Sequence, residues 1–264
     1  MDYERYLDRI GIDPAKGHAP DRETLERLHQ AHVRTIPFET LSITGHPFDG
    51  REAEGVSLRR SALFEKIVHR ERGGFCYELN GLFGWLLDTL GYTVKRLSGR
   101  VATNEEFGPP ADHLTLVVSL DREFLVDVGL GVPIPRGLVP LDGTISPSSV
   151  GPDWRTVESS RPDGEYLLQY RTSETGGWQD RLLFRDAPRE MSFFEATCEH
   201  HQLAPESPFT GNPIVMVGSE DGHKTLSTRN LTVTEGDEKQ KLAVTTDEWD
   251  AVLEREFGVR YRPG

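Results

Sequence analysis

The sequence predicts an α+β fold, in which a helical first third gives way to an antiparallel sheet or small barrel and the chain closes on further strands and a helix. Three observations carry this. Apolar residues recur at helical spacing up to Gly91, short β-prone runs punctuated by Asp, Gly, Pro and Ser begin after Tyr92, and an amphipathic segment near the end holds Trp249, Val252, Leu253 and Phe257. A length of 264 residues, set against ~150 per domain, gives one or two compact units.

Asp21, after Pro20, caps a helix through Leu25, Leu28, His29 and His32 that stops at Ile36-Pro37. A second helix starts after Ser57, carries Leu58, Leu63, Phe64, Ile67 and Val68, and ends before Gly73-Gly74. The third runs from about Cys76 through Leu79, Leu82, Phe83, Leu86, Leu87 and Leu90 to Gly91, a terminator because glycine takes the left-handed conformation without a Cβ clash. Its wide apolar arc predicts the buried helix of this part. Strands are expected at 93–101, 114–120, 124–128, 166–171, 214–217 and 231–233. The Pro-, Gly- and Ser-rich stretch 133–153 is expected to be a long irregular excursion, and 195–209 a polar one.

A formal charge of −13, from 30 basic and 43 acidic residues, argues against a nucleic-acid partner and leaves room for a local basic pocket holding a small anion. Two cysteines, Cys76 and Cys198, are too few for a disulfide scaffold and suit a reducing compartment. The N-terminus is charged, and no run reaches the ~18 apolar residues of a membrane span, so a cytoplasmic protein without membrane partners is expected.

The segment Arg72-Gly73-Gly74-Phe75-Cys76-Tyr77-Glu78-Leu79-Asn80 places a cysteine where two glycines end one element and a strong helix begins. Free N–H groups and the positive end of the helix dipole favour a thiolate there, below the usual ~8.5. The same N–H groups suit an oxyanion. Taken alone, the residue fits a buried structural cysteine as well.

A cysteine nucleophile needs a base, and the base an orienter. His113 heads one apolar strand and Asp127 ends the next, and each offers the partner that makes burial of the other tolerable. Parity tests the pairing. A two-residue turn at Asp121-Arg122 would set Asp127 opposite Leu116, on the other face from His113. The triad therefore requires an odd-length loop, a bulge near 119–123, or another connection.

Together the Arg-Gly-Gly-Phe-Cys segment, His113, the Val-Asp-Val-Gly run around Asp127, Ile36-Pro37-Phe38-Glu39, Gly99-Arg100-Val101, Pro205-Glu206-Ser207-Pro208-Phe209 and Asp221-Gly222 resemble the arylamine N-acetyltransferase family, which includes the ansamycin-type amide synthases. The resemblance implies a helical domain over 1–91 with the nucleophile, a β-barrel over 92–195 with His and Asp, and an α/β lid over 196–264, with a cysteine-protease-like triad of Cys76, His113 and Asp127 at their junction. It implies that Phe38, Tyr77, Val101, Gly129, Leu130 and Phe209 approach the acceptor or the pantetheine arm. It also implies an acetyl-CoA-dependent acyltransferase with no tightly bound cofactor, whose acceptor is an aromatic amine or hydrazine. Arg100, Lys224, Arg229 and His223 are candidates for the CoA phosphates. Two departures concern the acceptor: Thr40 stands where the family has Asn, and Leu130 where it usually has an aromatic.

Three other readings stay open: an amide synthase taking a polyketide chain from an acyl carrier protein as a macrolactam, a cysteine hydrolase of papain or transglutaminase type in which Asn80 or water supports hydrolysis, and a non-enzymatic binding protein. No metal is expected. Cys198, His200 and His201 lack a fourth ligand, and His29 and His32 read as surface or packing histidines.

Overall fold

A computed structural model describes residues 1–103 and 106–262. Its elements run α1 (Tyr3–Arg9), α2 (Arg22–Thr35), β1 (Phe38–Glu39), α3 (Leu41–Thr44), α4 (Arg60–Phe64) continuing as a π-helical turn (Glu65–His69), and α5 (Cys76–Thr89). Then follow β2 (Thr93–Thr103), β3 (Glu106–Phe107), β4 (His113–Ser119), β5 (Glu123–Val126), β6 (Val139–Pro140), β7 (Asp153–Glu158), β8 (Tyr166–Arg171) and β9 (Gln179–Pro188). The chain closes with α6 (Glu195–Leu203), β10 (Val215–Gly218), β11 (Gly222–Leu226), β12 (Asn230–Glu235), β13 (Glu238–Ala243) and α7 (Trp249–Phe257).

Helix α5 is the centre of the first part. Leu79, Leu82, Phe83, Leu86 and Leu87 are fully buried in one core with Leu25 and Leu28 of α2 and Leu63 and Phe64 of α4. Asp21 caps α2 as its position predicts, accepting from the Thr24 N–H at 2.8 Å. Gly91 ends α5 with φ +93°, the left-handed conformation expected of it.

The antiparallel strands β6-β5-β4-β2-β9-β8-β7 form one sheet, with β3 on β2. Its outer strands β6 and β7 meet, so the sheet nearly closes into a barrel around Leu97, Val117, Leu125, Trp154, Leu168 and Phe184. A second sheet, β1-β10-β11-β12-β13, joins residues 38–39 to the C-terminal part and packs its apolar face on α7 through Val215, Leu226, Leu231, Trp249 and Leu253. No helix among the described residues is long and apolar enough to cross a membrane.

Register decides the site. β4 and β5 pair Leu116 with Val126 and Ser119 with Glu123, leaving Leu120, Asp121 and Arg122 as a three-residue connection closed by Leu120 N–H to Arg122 O at 2.9 Å. The loop is odd, as the triad requires. Continuing the pairing one step places Asp127 beside Thr115, on the same face as His113.

Candidate active site

Cys76 is the first residue of α5. Gly73 and Gly74 bring the chain to that point along residues 37–39: the Glu39 N–H donates to Gly74 O at 2.9 Å, and a Cβ on Gly73 would stand 2.1 Å from Pro37 O. Beneath this turn lies a buried ionic network. Arg72 donates to Glu39 Oε1 from Nη2 at 2.6 Å and to Glu54 Oε1 from Nη1 at 2.8 Å, and Lys66 donates to both Glu78 oxygens at 2.8 and 3.0 Å. Glu78 in turn accepts the free Phe75 N–H at 3.1 Å, at the mouth of α5. Arg72 therefore shapes the approach to the nucleophile rather than presenting its charge to a ligand.

His113 and Asp127 are buried and joined by Nε2 to Oδ2 at 2.6 Å. That bond places the proton on Nε2 and leaves Nδ1 as the ring nitrogen available to the cavity. The other oxygen of Asp127, Oδ1, accepts from Asn80 Nδ2 and from the Gly129 N–H, both at 2.9 Å. Burial pushes the Asp127 carboxyl up, but the His113 ring and the bonds from His113 and Asn80 outweigh it, holding the group below its ordinary range.

Cys76 behaves differently from the sequence expectation. Burial, reinforced by the Asp112 and Asp127 carboxylates, pushes its thiol well above the ordinary value, and the Leu114 N–H only partly opposes this. Desolvation outweighs the helix terminus because the sulfur is enclosed. A thiolate here depends on His113 taking the proton.

Cys76 and His113 share the wall of one cavity of about 580 Å³. Phe38, Val101, Gly129, Leu130 and Phe209 line it. Gly129 is required by a close approach: a Cβ there would stand 2.8 Å from Cys76 Cα. Tyr77 lies outside the wall, its hydroxyl donating to Ala111 O at 2.6 Å beside Phe75. Arg100, Lys224 and Arg229 are also absent from the wall. Arg100 pairs with Asp163, and Lys224 with Glu256 at 2.7 Å.

Several contributors escape a motif reading. Asn80 enters the sequence reading only as a support for hydrolysis; one turn after Cys76, it holds the Asp127 carboxylate instead. His29 reaches the Asp127 carbonyl from α2 at 2.9 Å. Arg181 lines the cavity and donates to Leu130 O at 2.6 Å, with no carboxylate partner among the described residues. Away from the cavity, His46, Asp49 and Asp250 bring ligand atoms within 4.8 Å, but Arg51 already donates to both carboxylates, at 2.6 and 2.5 Å.

A profile of the N-acetyltransferase family matches residues 21–262, and the chain is 35% identical over 246 residues to an arylamine N-acetyltransferase of Mycolicibacterium smegmatis, covering 88% of this chain and 82% of that one. The chain belongs to the arylamine N-acetyltransferase family. Proansamycin X synthase of Amycolatopsis mediterranei is 33% identical over 265 residues, covering 97% of this chain and 96% of the synthase. Among solved structures, the Mycobacterium marinum arylamine N-acetyltransferase in complex with CoA superimposes with a TM-score of 0.83 at 30% identity, over 98% of this chain and 93% of that one. The helical part, the barrel-like sheet and the α/β part are thus the architecture of this acetyltransferase family.

Proposed function

We propose that this protein moves an acetyl group from acetyl-CoA to an arylamine or hydrazine through an acyl-Cys76 intermediate. The observation that carries the reading is the buried His113–Asp127 bond of 2.6 Å in the wall of the cavity that Cys76 also lines. His113 takes the thiol proton at Nδ1, and the sulfur attacks the thioester carbonyl. Backbone N–H groups at the start of α5 face the developing oxyanion. Collapse breaks the thioester, and His113 returns the proton to the departing CoA thiolate. The amine then attacks the acyl group, His113 accepts its proton, and amide formation releases Cys76. Asp127, clamped by Asn80 and Gly129, keeps the Nε2–H tautomer throughout.

Thioester formation on Cys76 exchanges one thiol ester for another and is nearly balanced, whereas the amide step runs downhill. The acyl group must meanwhile be screened from water. Phe38 and Phe209 at the cavity edge, with centroids 6.2 Å apart, suit an aryl acceptor. The same proposal divides the chain at 1–91, 92–195 and 196–264, supplying nucleophile, base with orienter, and cover. Two free cysteines suit cytoplasmic operation.

A second reading, release of a polyketide chain from a carrier-protein thioester as a macrolactam, is supported by one feature. Leu130 replaces an aromatic in the wall of a cavity of about 580 Å³, room that a bulky acyl chain would use.

Acetyl-CoA mixed with enzyme and no amine is expected to release about one equivalent of thiol rapidly and add acetyl to Cys76 by intact mass. Absence of the burst, or its survival in Cys76→Ala, overturns the acyl-enzyme. Product that forms without amine marks a hydrolase instead. Faster acylation by long-chain carrier-mimic thioesters than by acetyl-CoA favours the synthase.

A further inference from the structure

Two carboxylates act on the sulfur of Cys76, and the triad accounts for one of them. Asp127 orients His113, whereas Asp112, the residue before that histidine, adds negative charge that disfavours a thiolate. It works against acylation, the half-reaction in which Cys76 must ionise. Asp112 lines the cavity with Cys76 and His113, and the chain turns just before it through Ala111 at φ +62°, a conformation rare for a residue with a Cβ. One carboxylate oxygen, Oδ2, accepts the Val101 N–H at 3.0 Å. The other, Oδ1, has no aligned hydrogen-bond donor among the described residues and stands 3.2 Å from Nε2 of His201, a buried residue of α6 on the same cavity wall.

The hydrogen bonds of His201 fix what faces Asp112. Ser207 Oγ donates its proton to His201 O at 2.9 Å and accepts the Phe209 N–H at 3.2 Å. At the 3.4 Å contact between Oγ and Nδ1 the ring nitrogen is therefore the donor. A neutral His201 then turns a bare Nε2 toward Oδ1, acceptor against acceptor. Nε2 has no hydrogen-bond partner among the described residues, and a buried polar atom left that way calls for a donor from elsewhere. A group with several N–H bonds and a positive charge satisfies both atoms at once, and a protonated amine is such a group. Apolar surface lies beside it: the His201 and Phe209 rings have centroids 5.1 Å apart, and those of Phe209 and Phe38 are 6.2 Å apart.

We propose that Asp112 and His201 receive the ammonium group of basic aralkylamines, with the aryl ring against Phe209 and Phe38, and so extend the acceptors of this protein from weakly basic arylamines and hydrazines to amines that are cations at neutral pH. An alkylamine with a pKa near that of lysine, ~10.4, is neutral in fewer than about one molecule in 10³ at pH 7, and it cannot attack while protonated. At the acyl-enzyme, the ammonium donates one N–H to Asp112 Oδ1 and passes a proton to His201 Nε2, where the carboxylate steadies the imidazolium. The freed lone pair forms the N–C bond with the acyl carbon, His113 takes the second proton at Nδ1, and the C–S bond breaks to leave the Cys76 thiolate. His201 gives its proton to solvent once the amide departs. The proposal rests on the acyl-Cys76 reading above and names a further class of acceptor for it.

The test compares two acceptors on the intact protein first acetylated at Cys76 with acetyl-CoA. Aniline is neutral at pH 7, and 2-phenylethylamine is a cation. Wild type is expected to form N-acetyl-2-phenylethylamine at pH 7 faster than it loses the acetyl group to water. Asp112→Asn keeps an oxygen for the Val101 N–H and removes the charge, and the ratio of second-order rate constants, 2-phenylethylamine over aniline, should fall at least tenfold. His201→Gln, which leaves Asp112 in place, carries the same expectation, and a thermal transition shows that each variant is folded. A smaller fall in either folded variant overturns the proposal, as does an equal loss with both acceptors. So does a wild type that acetylates aniline and leaves 2-phenylethylamine untouched. Failure of the acyl-enzyme reading looks different, because acetyl-CoA alone would then leave Cys76 unacetylated by intact mass.

Discussion

Asn80 stands one helical turn after Cys76 and donates from Nδ2 to Asp127 Oδ1 at 2.9 Å, so the helix that begins with the nucleophile also grips the carboxylate that orients the base. The same amide nitrogen reaches Leu114 O at 2.7 Å, and Asn80 Oδ1 accepts the Val128 N–H at 2.9 Å. One fully buried side chain thereby ties α5 to β4 and to the end of β5. Asn80 is a positioning residue, and misplacement of reacting groups by ~1 Å costs about 10²-fold. Asn80→Ala is expected to slow acylation of Cys76 by about that factor in rate while changing KM for acetyl-CoA less than threefold. A rate within threefold of wild type would show that the grip has no catalytic consequence.

Asp127→Asn tests the tautomer. The carboxylate accepts from His113, Asn80 and the Gly129 N–H at once, and an amide can satisfy these donors only by presenting its NH₂ to one of them. The imidazole is then free to flip its proton to Nδ1, where it cannot receive the thiol's. Loss of such an orienter elsewhere costs on the order of 10⁴ in kcat. The expected outcome is a fall of 10³–10⁴ in steady-state turnover with a folded protein by circular dichroism.

What the sequence made legible was local. Asp21, Gly91 and the apolar arc of α5 act within a few residues, and the Cys76 segment, His113 and Asp127 carry their chemistry in their own identities. Side-chain parity narrowed the β4–β5 connection to an odd loop, a bulge or another link, and the register chose the odd loop at 120–122. What escaped depended on distant partners. β1 is two residues long and exists because Phe38 and Glu39 pair with Met216 and Val215. β9 reads as half polar, Gln-Asp-Arg-Leu-Leu-Phe-Arg, and becomes a strand through pairing with β2 and β8, so Arg181 was not seen as a wall residue. α6 looked like a polar stretch because only Cys198 and His201 of its nine residues are buried. The Cys76 thiol departs from its helix-start expectation for a related reason: helix position is local, whereas burial and the charges of Asp112 and Asp127 are not.

The ionic network under the nucleophile predicts an acid-sensitive part of the stability. Burial pushes the Glu39 carboxyl up, but Arg72 and Lys66 bring it from an ordinary 4.5 to about 2. A carboxyl depressed on folding stabilises above its unfolded value, and that contribution is lost as pH falls from ~4.5 toward 2. The shift corresponds to roughly 3 kcal/mol at neutral pH. Arg72→Met leaves Glu39 buried with its main partner gone and is expected to cost about 3–5 kcal/mol. Urea midpoints at pH 6 and pH 3 measure both: wild type should lose stability between them, and the variant, weaker at pH 6, should lose markedly less. Parallel curves would place the acid sensitivity elsewhere.

The reactivity of Cys76 separates helix position from histidine. Burial and two nearby carboxylates hold the thiol protonated well above its ordinary range, so without a proton acceptor alkylation should need strongly alkaline solution. With His113 present, transfer to Nδ1 converts a buried thiol and a neutral ring into an ion pair that the Asp127 carboxylate steadies at 2.6 Å. Iodoacetamide should therefore alkylate wild-type Cys76 readily at pH 7. In His113→Gln the rate at pH 7 should fall sharply and should climb about tenfold per pH unit, as for a thiol that ionises only by losing its proton to solvent. Cys198, whose thiol burial pushes up to about 12, serves as the internal reference for a cysteine without such a partner. Equal alkylation of Cys76 in wild type and His113→Gln at pH 7 would mean that the α5 terminus alone activates the sulfur, and the enclosure described above would then have to open in solution.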